Sequence, residues 1–201
     1  TPRVTVPADF VVCESPSVPL TGDLDPSPTA GSWSVLAGSG TLSVSSITGE
    51  IVTANYTPHA SDIGTTVAFR LTTNDPDGFG PCVPAFDDIS ITINESAKVD
   101  AGAPIVTCED QPVQLNARTG GQTSSVIWNA PNGTVSFSDA SDTLSIYNLT
   151  PADIAAGNIN LSLTTDDPDG AGPCTTVSDQ VAVHINRLPK VFLFGLEEGS
   201  Y

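Results

Sequence analysis

One set of markers, written twice in the same order, constrains this chain more than any other feature. Cys13 in VVCESPSVPL is matched by Cys108 in VTCEDQPVQL, 95 residues on, and Trp33 in GSWSV by Trp128 in VIWNA at the same spacing. RLTTNDPDGFGPC, ending at Cys82, is matched by SLTTDDPDGAGPC, ending at Cys174, 92 residues on. YTPHASDIG from Tyr56 and LTPADIAAG from Leu149 stand between these landmarks in each half. Such self-similarity makes the chain two copies of one unit. The copies are expected over residues 1–95 and 96–187, joined near Glu95–Lys98, with residues 188–201 an apolar tail or the start of a further unit. Pro2-Arg3-Val4, Ala97-Lys98-Val99 and Pro189-Lys190-Val191 open successive units alike.

Each copy reads as β. Apolar and polar residues alternate with period two in Thr66–Thr73, Ile89–Ile93, Ile159–Thr165 and Val181–Ile185, and Val, Ile and Thr dominate these runs. Gly, Pro, Asn and Asp gather between them, where turns need them. No segment sustains an apolar stripe of helical period. The best helical candidate is a single turn over Pro151–Ala156, with Thr150 as N-cap and Pro151 in the first helical position; Thr57–Ile63 is its counterpart. About seven strands in about 95 residues is the pattern of an immunoglobulin-like sandwich. The expected fold class is therefore all-β, two tandem immunoglobulin-like β-sandwich domains, with Trp33 and Trp128 as core indoles of a third strand.

Charge excludes some functions. Acids outnumber bases 23 to 6 for a net charge of -17. The bases are scattered, so nucleic acid is not an expected partner. No apolar run approaches the ~20 residues that cross a bilayer, so no membrane insertion is expected. The chain starts at Thr1 and contains no Met, so a leader or neighbouring segment is expected to have been removed, or the chain is a fragment.

Four cysteines at equivalent positions suggest disulfides and an extracellular setting. Four cysteines permit three connectivities, and the repeat favours pairing within each unit, Cys13–Cys82 and Cys108–Cys174. Closing loops of that size adds roughly 4 kcal/mol in the chain-entropy model. A tension accompanies this pairing. In simple immunoglobulin wiring the first corner and the last hairpin lie at opposite ends, so Cys13 must lie early in its strand or the hairpin must depart from that wiring. A zinc site is disfavoured, since no CxxC occurs and His59 and His184 are not equivalent.

The most specific local motif is Asn74-Asp75-Pro76-Asp77-Gly78 with its copy Asp166-Asp167-Pro168-Asp169-Gly170. Alternating Asp oxygens around a Gly turn suit a calcium loop, with Asp75, Asp77, Asp167 and Asp169 as ligands and Asp87, Asp88 and Asp179 nearby. The competing reading is a type I turn, which Pro at the second position and Gly at the fourth favour. Catalysis has thin support: no GxSxG, HExxH or P-loop occurs, and neither histidine recurs between the copies. The chain is not expected to be an enzyme. Sequons begin at Asn55, Asn94, Asn132, Asn148 and Asn160, as chance allows in a Thr- and Ser-rich chain. The tail carries Val191, Phe192, Leu193, Phe194 and Leu196, an apolar run that reads as the start of another domain or as a subunit-joining strand.

The order V-C-E…P-V-x-L, Trp, T-P-x-D-I-x-x-G, L-T-T-x-D-P-x-G-x-G-P-C and V-x-D-Q-V-x-V-x-I resembles the tandem repeats of giant cell-surface adhesins of Bacteroidota. These belong to gliding or attached bacteria and leave the cell by type IX secretion. The resemblance covers nearly everything before the tail. The second copy matches better than the first, whose Asp25–Pro28 and PCVPAFDD stretches depart from the pattern. It implies an extracellular stalk or adhesive filament whose partners are neighbouring repeats or subunits of the same kind, surface glycans or other cells. It also implies O-glycosylation at Asp-Ser/Thr-apolar sites, here at Thr143. A polymerising filament subunit joined through the tail is the alternative. A carbohydrate-binding module would need exposed aromatic platforms, and aromatics make up 6% of the chain.

Overall fold

The computed structural model describes residues 2–25, 30–75, 77–78, 80–130 and 136–189. It separates into two compact units. Unit 1 comprises Thr1–Ala97 together with Asp167–Thr175, and unit 2 comprises Lys98–Asp166 and Thr176–Tyr201.

In unit 1 the strands are β1 (Val4–Thr5), β2 (Phe10–Cys13), β3 (Val18–Leu24), β4 (Gly31–Ala37), β5 (Thr41–Leu42), β6 (Ser46–Thr48), β7 (Ile51–Thr57), β8 (Thr66–Thr73) and β9 (Phe86–Asn94). One sheet runs β1-β3-β7-β5, with β6 also on β7; the other runs β2-β9-β8-β4. The period-two pattern does its work directly: along β8, Val67, Phe69, Leu71 and Thr73 turn inward while their neighbours do not. Leu20 and Val52 from one sheet share a core with Trp33, Phe69, Leu71 and Ile91 from the other. Most pairs are antiparallel, but β2 pairs with β9 in parallel, Phe10 opposite Ile91 and Cys13 opposite Asn94.

Unit 2 repeats the scheme with β10 (Ala97–Asp100), β11 (Ile105–Cys108), β12 (Val113–Gln114), β13 (Arg118–Gly121), β14 (Val126–Asn129), β15 (Ile146–Tyr147), β16 (Asn158–Thr165) and β17 (Ser178–Asn186). Its main sheet runs β11-β17-β16-β14, again with a parallel first pair, Cys108 opposite Asn186. Smaller ladders join β10 to β13 and β12 to β15. Trp128 packs fully buried with Leu115, Tyr147, Leu161 and Leu163.

The short helix α1 covers Pro151–Ala156 and is framed as its sequence demands. The Thr150 hydroxyl accepts from the Asp153 amide at 3.2 Å, Asp153 accepts from the Thr150 amide at 2.8 Å, and Gly157 closes the turn at φ 73°. Unit 1 has a 3-10 turn here, Ala60–Asp62, with His59 as its N-cap. A feature the sequence motifs did not reveal sits beneath both turns. Tyr56 donates to Asp62 Oδ2 at 2.8 Å, and Tyr147 donates to Asp153 Oδ2 at 2.8 Å, each six residues downstream. All four side chains are buried. Burial first, then the carboxylate that accepts its proton, pushes the Tyr147 hydroxyl far above its usual range.

Burial works to raise the Asp62 carboxyl. Donation from the Ser39 and His59 amides and from Tyr56 outweighs it, and the group ends below the ordinary carboxylate range. A depressed folded value gives stability that is present above the unfolded value, about 3.9, and is lost as pH falls through the folded value. Asp62→Asn is therefore expected to lower stability at neutral pH and to flatten the acid limb of unit 1 unfolding below about pH 4. Urea midpoints at pH 7 and pH 3 check this. An unchanged difference between the two midpoints in the variant would rule it out.

Candidate functional site at the cysteine loops

The motif that ends in Gly-Pro-Cys lies between the two longest strands of each copy, β8 and β9 or β16 and β17. Its asparagine and aspartate side chains accept from backbone amides and so shape the loop. Asn74 Oδ1 accepts from the Ala30 amide at 2.9 Å, and in the second copy Asp166 accepts from the Ser124 and Ser125 amides, both at 3.0 Å. The Ser124 hydroxyl, the first cause, and those amides hold the Asp166 carboxyl below its usual range. One residue on, Asp75 Oδ1 accepts from the Asp77 and Gly78 amides at 3.2 Å each, and Asp167 Oδ1 from the Asp169 and Gly170 amides at 3.3 and 3.0 Å. Asp77 and Asp169 then turn Oδ2 forward to the amides of Cys82 and Cys174, at 3.2 Å in both loops. The glycines are needed for two reasons. Gly170 holds φ at 64°. At Gly172 an added Cβ would stand 2.3 Å from the Asp169 carboxylate.

These loops are turns that present a cysteine. Among the described residues no three His, Cys, Asp or Glu side chains gather as a metal site, so Asp75, Asp77, Asp167 and Asp169 are not brought together with further carboxylates. Asp87 and Asp179 instead accept from the Val6 and Ala101 amides, at 3.0 and 2.8 Å. Asp88 takes both Arg70 donors at 2.7 Å.

The cysteine pairing corrects the expectation. Cys13 is bonded to Cys174, with Cα atoms 4.9 Å apart and a sequence separation of 161, and Cys82 and Cys108 are free. The within-copy pairs Cys13–Cys82 and Cys108–Cys174 do not form, and the parallel β2–β9 register says why. Cys13 lies beside Asn94, the last residue of β9, whereas Cys82 precedes Phe86, the first. The run from Phe86 to Asn94 spans roughly 25 Å at the usual strand rise, whereas bonded cysteines keep their Cα atoms within about 7 Å. Cys108 beside Asn186 is separated from Cys174, which precedes Ser178, in the same way.

Unit 1 receives the Asp167–Thr175 loop with more than the covalent bond. Asn94 Nδ2 donates to Asp169 Oδ2 at 2.9 Å, and the Cys174 sulfur lies 3.9 and 3.7 Å from the carbonyl oxygens of Asn94 and Glu95. Cys174 is 2% exposed. On the receiving strand the Glu14 amide donates to Asn94 O at 2.7 Å, and Glu14 Oε2 accepts from the Ser96 amide at 3.3 Å. Cys13, Glu14, Asn94 and Ser96 form a socket, and the Asp169–Cys174 loop is the plug.

The remaining expected residues fall elsewhere. Thr143 is half-buried in a turn, its carbonyl accepting from the Ala117 amide at 3.0 Å while Asp142 Oδ1 takes the Leu144 amide at 2.9 Å. His59 caps its turn, and His184 meets Asn158 across two strands at 2.7 Å. Trp33 and Trp128 are buried, their indoles donating to the carbonyls of Val52 at 3.2 Å and Asp142 at 3.0 Å. Val191, Phe192, Leu193, Phe194 and Leu196 lie outside the described residues. Among the described residues no helix is long and apolar enough to cross a membrane.

No protein-family model and no curated protein matches the chain. Solved structures do. The insect immune protein hemolin is similar with a TM-score of 0.53 at 12% identity, over 90% of this chain and 46% of hemolin's. Sidekick-1 immunoglobulin domains 1–4 match with a TM-score of 0.46 at 15% identity, over 92% and 48%. The titin I9–I11 tandem matches with a TM-score of 0.39 at 9% identity, over 93% and 66%. The chain spans less than two thirds of each of these. Sheet order, core and the hemolin likeness agree on one architecture: two immunoglobulin-like β-sandwich domains in tandem.

Proposed function

We propose that the chain is a repeat segment of an extracellular surface protein, serving as a stalk or adhesive array whose modules are stapled to one another. The observation that carries this reading is the Cys13–Cys174 bond, which joins one sequence repeat to the next. Such a bond persists in an oxidising compartment and not in a reducing cytosol. A net charge of -17 suits a protein kept soluble and apart from anionic surfaces. Repeats stacked in series contact mainly their neighbours, so copy number sets reach. The work is non-enzymatic, and the partners that fit are like repeats and other cells. Hemolin's domain arrangement has been linked to homophilic adhesion, and contact of that class is what an array of this kind would offer. The motif resemblance narrows the reading to surface adhesins of the Bacteroidota type.

The test is surface labelling of intact cells that produce the parent protein, with a reagent that does not cross membranes. The chain is expected to label on intact cells, with Cys13 and Cys174 refusing alkylation until reductant is added. Labelling only after lysis, with all four cysteines alkylated at once, would overturn the proposal.

A further inference from the structure

The two cysteines left free are each half of the bond that Cys13 and Cys174 make. Cys108 occupies a socket of the Cys13 kind. It ends β11 opposite Asn186 as Cys13 ends β2 opposite Asn94. The Glu109 amide donates to Asn186 O at 2.9 Å, and Glu109 Oε1 accepts from the Leu188 amide at 3.2 Å, repeating the Glu14, Asn94 and Ser96 contacts. Cys82 occupies a plug of the Cys174 kind, its amide held by Asp77 Oδ2 at the same 3.2 Å. Cys82 is half-buried and Cys108 exposed, so both thiols are within reach of a partner.

We infer that Cys108 bonds the Gly-Pro-Cys loop of a following repeat and Cys82 the socket cysteine of a preceding one. Every repeat is thereby stapled to its successor. A plain sandwich-to-sandwich linker would need none of this. Each copy instead carries one socket and one plug, which its own geometry keeps from meeting and which fit only in heterologous, head-to-tail order. The bond forms by two-electron oxidation of the two thiols, with two protons released. The oxidant is a disulfide donor such as oxidised glutathione, which is itself reduced to thiols. Asn186 then donates to the incoming loop's aspartate as Asn94 does to Asp169. The inference rests on the array reading for its setting, but its failure would leave the surface-labelling result untouched.

The test joins two full chains head to tail, residues 1–189 followed by residues 3–201, so that Arg3-Val4 takes the place of Lys190-Val191. The fusion is oxidised in a glutathione buffer and mapped by mass spectrometry. The single chain is expected to keep two thiols, Cys82 and Cys108. The fusion should also keep two, not four, because Cys108 of the first copy pairs with Cys82 of the second. Cys108→Ser in the first copy should return a third thiol while both Cys13–Cys174 bonds remain. Four thiols in a fusion that has formed both Cys13–Cys174 bonds would overturn the inference. A second readout uses the single chain, oxidised at rising concentration. Cross-linked dimers should be Cys82–Cys108 almost exclusively, and homotypic and heterotypic pairs in random proportion would overturn it equally.

Discussion

Cys13→Ala/Cys174→Ala is expected to destabilise the oxidised chain by up to about 5 kcal/mol, the value the chain-entropy model gives for a closed loop of this length. The separation of 161 residues makes this ring the largest conformational restriction in the unfolded chain. Without the bond, the loop of Asp167–Thr175 is held to unit 1 by Asn94 and the burial of residue 174. Urea denaturation without reductant measures the loss, and the same chain with reductant should match the variant. Cys82→Ala/Cys108→Ala is the control, and it should move the midpoint by less than about 0.5 kcal/mol because neither residue is bonded in the single chain. Coincident curves for parent and variant would show that the bond does not form.

The second large effect belongs to Trp128. Its side chain is fully buried, lies 6.1 Å from Phe137 ring to ring, faces Leu163 in the ladder, and donates its indole proton to Asp142 O. Trp128→Ala is expected to cost about 3–5 kcal/mol through the cavity it opens. It also strips a partner from a carbonyl in a turn that anchors Leu144. At about 4–8 °C per kcal/mol for a domain of this size, unit 2 should melt well over 10 °C lower or fail to fold. The chain holds only two tryptophans, so Trp33 fluorescence in this variant reports unit 1 alone. Trp128→Phe should recover part of the loss. A melting midpoint within a degree or two of the parent would refute the core role.

Much of this fold was legible because strands announce themselves by alternation. TVAFRLTT is β8 residue for residue, and the Thr150-Pro151 start and Gly157 stop of α1 follow from capping chemistry. The buried indoles followed from the repeat. The tyrosine–aspartate pairs were not legible: Tyr56 and Tyr147 each precede their aspartate by six residues, but matching the copies at the T-P marker sets Tyr56 against Leu149 and Asp62 against Ala155, so the marker hides the pairs. Cysteine pairing was a different matter. A repeat equates positions, and bonding each copy to itself or to its successor satisfies the same symmetry. Only the register of β2 against β9 decides, and a parallel first strand leaves no mark in a four-residue segment such as Phe10–Cys13. The DPDG motif was ambiguous for a related reason. Aspartates suit a cation and a turn alike, and which amides they face is fixed by the backbone they help to shape.

The socket and plug also govern what happens under tension. If the chain is pulled from its two ends, residues between Cys13 and Cys174 are shunted, because load passes through the sulfur bridge and not along the 161-residue path it closes. Unfolding either sandwich then releases little length. Roughly 550 Å of contour stays hidden until the bridge is cut. A reductant, and not force alone, would be the agent that frees this length.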